Sequence, residues 1–76
     1  MVNRVFNWGY NDVVSILKDN GFRLNHIKGS HHYYVGTVAG KLHQVCVPLH
    51  GSKTFKARTL SGMIRQSGLK RSAWGL

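Results

Sequence analysis

The chain has 76 residues, one cysteine, and eleven Lys and Arg against two Asp, for a formal charge of +9. So short a chain leaves no room for a second domain and sets an expected stability of roughly 5 kcal/mol or less. The lone Cys46 excludes an internal disulfide, and no apolar stretch reaches the ~18 residues of a membrane span or has the layout of a signal peptide. The reading is therefore one cytoplasmic domain over residues 1–76, without membrane attachment, whose surplus positive charge suits a polyanion, most often nucleic acid.

The first element is a helix over "YNDVVSILKDNGF", where Tyr10, Val13, Val14 and Leu17 recur at spacings of three and four and so form one apolar stripe. Its start falls between Gly9 and Asn11, with Asn11 as the expected cap and Asp12 favourably placed in the first turn. Asn20-Gly21 ends it, because Gly21 suits the left-handed position beyond a helix C-terminus.

Three short strands follow: Phe22 to Ile27, Ser30 to Val35, and Leu42 to Val47. Lys28-Gly29 makes the first turn. The second is "GTVAGK", in which Gly36 and Gly40 are expected to supply positive backbone angles. Beyond Pro48 a basic loop, "LHGSKTFKAR", leads into "TLSGMIRQSGLK". There Leu60, Met63, Ile64 and Ser67 mark one helical face, Thr59 is the expected N-cap and Gly68 the expected stop. The tail "RSAWGL" is too short to assign. The predicted architecture is α+β: a three-stranded antiparallel sheet with two helices on one face and the other face open.

Which RNA- or DNA-cleaving chemistry would such a chain support? Two-metal cleavage needs carboxylates that converge on ions ~3.5–4 Å apart. Asp12 and Asp19 are the only acidic residues, and a seven-residue separation spaces them about 10 Å along one helix. His43, Cys46 and His50 are zinc-type ligands, but His43 and Cys46 point to opposite faces of a strand, so no metal or other cofactor is expected and Cys46 reads as a small core residue. Metal-free acid–base cleavage of RNA remains, because the ribose 2′-hydroxyl is an internal nucleophile. A histidine with a pKa near 6.5 transfers its proton and Lys or Arg stabilises the phosphate, the proton transfer contributing roughly 10²–10⁴ in rate.

The segment "KGSHHYY" holds two adjacent histidines. In a strand, neighbours face opposite ways, so His31 and Tyr33 share one face and His32 and Tyr34 the other. The pattern does not decide which pair is on the open face.

In order and spacing, "ILKDNGF", "KGSHHYY" and "VPLHGSKTFKARTLSGMIRQSGLK" resemble the HicA toxins of prokaryotic type II toxin–antitoxin modules, over about Val13 to Lys70. The resemblance implies a double-stranded-RNA-binding-domain-like α-β-β-β-α fold, an endoribonuclease that cleaves mRNA and arrests translation, and a HicB-like antitoxin partner. It maps the catalytic histidine, directly after Gly-Ser, onto His31, and so turns Tyr34 toward the core. One departure is local: many members carry a glycine before the Thr-Leu that opens the second helix, where this chain has Lys56-Ala57-Arg58. The loop is correspondingly more basic. Lys28, Lys53, Lys56 and Arg58 are the expected phosphate contacts, with Ser30 and His50 as accessory candidates. The alternative is a non-enzymatic double-stranded-RNA binder of the same fold.

Overall fold

A computed structural model describes residues 8–49 and 54–76. Helix α1 spans Tyr10–Asp19, and strands β1 (Arg23–Lys28), β2 (His31–Val38) and β3 (Lys41–Pro48) follow. Helix α2 spans Ala57–Ser67, and a 3₁₀ helix over Arg71–Trp74 ends the chain.

Helix α1 begins one residue earlier than its expected cap. The Gly9 carbonyl accepts from the Val13 N–H at 3.2 Å, and the Gly9 N–H donates to the Asp12 carboxylate at 2.8 Å. Asn11 therefore lies inside the first turn and is exposed. Asp12 has taken the capping work, reaching back from the third helical position. At the other end, the Phe22 N–H bonds the Leu17 carbonyl and the Gly21 N–H bonds that of Lys18. With Gly21 at φ 86°, this is a Schellman ending, and its accompanying apolar pair, Leu17 and Phe22, is buried.

The three strands are antiparallel in the order β1-β2-β3. The β2–β3 turn differs from expectation. Ala39 and Gly40 occupy it, both at positive φ (51° and 80°), as a two-residue hairpin turn with matching right-handed twist requires. Gly36 instead lies within β2 opposite His43, where a Cβ would stand 2.6 Å from the Phe22 ring. Its missing side chain makes room for an aromatic and serves no turn.

In α2 the expected face is buried as read: Leu60, Met63, Ile64 and Ser67. Thr59 is not the cap, however. The helix starts at Ala57 after Lys56, whose carbonyl accepts from the Leu60 N–H, while Phe55 just upstream is tied to the Trp8 carbonyl at 2.8 Å. That tether sets the chain's entry and lets a full turn precede the first buried leucine. Gly68, at φ 70°, ends the helix as expected. Buried Ser67 is satisfied, donating to the Ile64 carbonyl and accepting from the Leu69 N–H.

One core joins these elements: Val13, Val14 and Leu17 from α1, Phe22, then Tyr34, Val45 and Val47 from the sheet, with Leu60, Met63 and Ile64 from α2. Trp74, in the tail left unassigned from sequence, is 1% exposed within the same core, its ring centroid 5.9 Å from that of Trp8. Both helices lie on the face that carries Tyr34, Val45 and Val47. Helix α2 also seals the outer edge of β3: the Gln66 side-chain carbonyl accepts from the Cys46 N–H, and His43 Nδ1 donates to the Gln66 backbone carbonyl. Among the described residues nothing comparable covers β1, all six residues of which are exposed. Among the described residues no helix is long and apolar enough to cross a membrane.

Candidate active site on the open sheet face

Burial of Tyr34 decides the question that alternation left open. Since Tyr34 is 3% exposed in the core, His32 lies with it on the helix side, and His31 and Tyr33 stand on the open face. His31 is exposed at the first position of β2. Its register partners are Lys28 on β1 and Pro48 on β3, so an ammonium-bearing side chain lies directly across the strand pair from the imidazole. Ser30, exposed in the preceding turn, ties that turn to the end of β3 through its carbonyl, which accepts from the Leu49 N–H at 2.7 Å.

The strand end that holds His31 adjoins a cavity of about 270 Å³, lined by Gly9, Tyr10, Pro48, Leu49, Phe55 and Lys56 among others. Lys56 therefore belongs to the same end of the molecule as His31, and Arg58 follows it, exposed, in the first turn of α2. Lys53 and His50 lie outside the described residues. His43 and Cys46 fall on opposite faces of β3, His43 with Gly36 on the helix side and Cys46 with Tyr33 on the open side.

Two groupings escaped the sequence reading. On the helix side, a hydrogen bond of 2.8 Å links the Tyr10 hydroxyl to His32 Nδ1, and one of 2.7 Å links it to the Tyr34 hydroxyl. Burial first, then the hydrogen bond to Tyr34, holds the Tyr10 phenol well above its usual pKa. Tyr10 stays protonated and fixes the His32 ring, which meets it edge-on at 5.3 Å. The second histidine of the pair is thereby a packing and hydrogen-bonding group. The position of Tyr10 within the apolar stripe of α1 was the only signal.

On the open face, the His26 and Tyr33 rings stack at 4.4 Å and 12°, and His31 meets Tyr33 edge-on at 6.5 Å. Simple alternation hides this, because β1 carries a bulge between Leu24 and His26. Leu24 pairs with Tyr34 and His26 with Tyr33, so the extra residue, Asn25, moves His26 to the opposite face from the one parity predicts.

A basic domain of α-β-β-β-α order, with two helices behind a sheet that presents a histidine on its open side, is a double-stranded-RNA-binding-domain-like α+β protein. Comparison with protein families matches residues 10–69 to the HicA toxin of bacterial toxin–antitoxin systems. The chain belongs to the HicA toxin family, and is a toxin of the toxin–antitoxin type. Comparisons with curated proteins and with solved structures return no match.

Proposed function

We propose that this chain is a cytoplasmic endoribonuclease that cleaves mRNA without a metal ion, with His31 as the catalytic histidine. Membership of the HicA family supports the activity, and the placement of His31 on the open face, paired with Lys28, is the observation that carries the assignment of the residue. In the proposed reaction a base removes the ribose 2′-proton and the 2′-oxygen attacks the adjacent phosphorus. The bond from phosphorus to the 5′-oxygen breaks, and that oxygen takes up a proton. The products are a 2′,3′-cyclic phosphate and a 5′-hydroxyl. His31 serves as the base or as the acid in one of these transfers, and Lys28 offsets charge on the phosphate. Lys53, Lys56 and Arg58 hold the flanking backbone. Ser30 and His50 are the accessory candidates, Ser30 through the turn that sets His31 in place. Independence from metal rests on the donor set, because both carboxylates of the chain lie seven residues apart on α1.

The partner in this reading is a small HicB-like antitoxin with an acidic surface. A chain of charge +9 that is covered over His31 and the basic loop would otherwise bury many unpaired cations at high cost. Incubation of the purified chain with single- and double-stranded RNA in excess EDTA, beside His31→Ala, tests the proposal. Cleavage by the parent and none by the variant is expected. Complete loss of the parent's cleavage in EDTA would sink the metal-free mechanism. The exposed cationic start of α2 favours the second reading, duplex binding without cleavage; binding to duplex RNA with intact substrate would establish it.

A further inference from the structure

We propose that the open face of the sheet is a stacking platform for the bases of single-stranded RNA, with Tyr33 as its central ring, His26 backing it and His31 at its margin. This rests on the proposal that RNA is the ligand, and narrows it to unpaired RNA read on this face. Three observations carry it. The rings form a continuous set, His26 parallel to Tyr33 at 4.4 Å and His31 edge-on at 6.5 Å, on a face that no helix covers among the described residues. His26 and His31 are exposed and Tyr33 is half-buried, so ring surface remains accessible to a ligand.

The second observation is the bulge at Asn25. A regular β1 would turn His26 toward the helix side, and the irregularity brings it beside Tyr33 instead. The third is charge. Arg23 and Lys28, register partners of Val35 and His31, share this face with His26, whereas both acidic residues, Asp12 and Asp19, belong to α1. A phosphate backbone that crosses β1 thus meets only positive or neutral groups.

Exposed aromatic rings among cations are what unpaired nucleotides need, since every base offers a π-face to stack upon. A-form duplex cannot use them, because its bases are already stacked within the helix and their faces are inaccessible. Stacking on Tyr33 would also serve the chemistry. His31 stands edge-on beside Tyr33, so a nucleotide stacked there would be the one next to the cut.

The test uses the full chain with every residue intact and a 2′-O-methyl RNA octanucleotide, which lacks the attacking hydroxyl and cannot be cleaved. Its affinity is compared with that of the same oligonucleotide bearing abasic sites, and with its duplex. Tighter binding of the base-bearing single strand over the abasic strand, by about 5- to 150-fold, is expected from one stacked base. Tyr33→Leu should erase most of that ratio and Tyr33→Phe should keep it. Equal affinity of the unmutated chain for the normal and abasic strands overturns the platform, even if Tyr33→Leu fails to fold. So does tighter binding of the duplex, or no binding of any strand. If the ratio holds but the chain does not cleave ordinary RNA, the nuclease reading fails and the platform stands. Cleavage without the ratio is the reverse.

Discussion

The Tyr10 hydroxyl lies 2.8 Å from Nδ1 of His32, and that one contact divides two adjacent histidines into different kinds of residue. Tyr10 has a single proton, so it donates at most one of its bonds to His32 and Tyr34 and accepts the other. Removing any member leaves a half-buried neighbour without its partner. His32→Ala and Tyr10→Phe are each expected to destabilise the fold by about 1–2 kcal/mol. His31→Ala should leave the denaturation midpoint nearly unchanged while abolishing cleavage. Paired urea titrations and RNA assays on the three variants check the contrast, and the opposite ranking would place catalysis on the helix side.

Alkaline pH should expose the same network. The Tyr10 pKa is raised in the folded state, so the unfolded chain loses this proton first. Its contribution to stability is then complete below the ordinary tyrosine value of about 10, and falls as pH rises beyond it. Stability measured from pH 8 upward should decline less steeply above about 10 in Tyr10→Phe than in the parent chain.

A side chain at Gly36 is predicted to destabilise the fold. A methyl group there would meet Phe22 ring atoms at 2.6 Å, and Phe22 is itself fixed in the core at the end of α1. Gly36→Ala should cost about 1–3 kcal/mol, the usual range for overpacking, read as a lower midpoint at unchanged slope in urea.

Ala39 offers a gain of the opposite sign. It holds φ at 51° in the β2–β3 turn, a region in which an alanine is strained and an asparagine is at home. Ala39→Asn is expected to stabilise the chain by about 0.5–1 kcal/mol in the same titration, with RNA cleavage unaffected.

Removal of Lys53, Lys56 and Arg58 together should weaken RNA binding across all sequences. At ~0.7 per single-strand phosphate contact, the dependence of log affinity on log salt should flatten by up to about two units. An unchanged slope would put the backbone elsewhere.

How far the sequence reveals these features depends on how local their causes are. The apolar stripes of α1 and α2 and the stops at Gly21 and Gly68 follow from neighbours within a turn or two, and the structure reproduces them. The cap of α2 shifted from Thr59 because Phe55 is tethered to Trp8, a contact between distant residues that no local pattern encodes. Sequence cannot tell Gly36 from a turn residue, because a glycine that admits an aromatic ring and one that turns the chain are the same letter. The burial of Trp74 leaves no periodic signal, because a four-residue 3₁₀ helix is too short to show one. In the candidate site, alternation separated His31 from His32 but could not choose between the faces, which required the burial of Tyr34. His26 was hidden by the Asn25 bulge, since a single extra residue inverts every parity argument beyond it.

The uneven cover over the sheet has a consequence for motion. Strand β3 is tied down by the core and by Gln66, whereas among the described residues β1 has its ladder to β2 and little else, with all six side chains exposed. The free energy needed to open β1 should therefore lie well below that of global unfolding, and its amides should exchange with solvent ahead of those in β2 and β3. Opening would carry Lys28 and His26 away while His31 and Tyr33 stayed anchored on the central strand. A molecule that bridges the two strands across the open face would slow that exchange, so amide protection in β1 can report occupancy of the site even when no bond is cut.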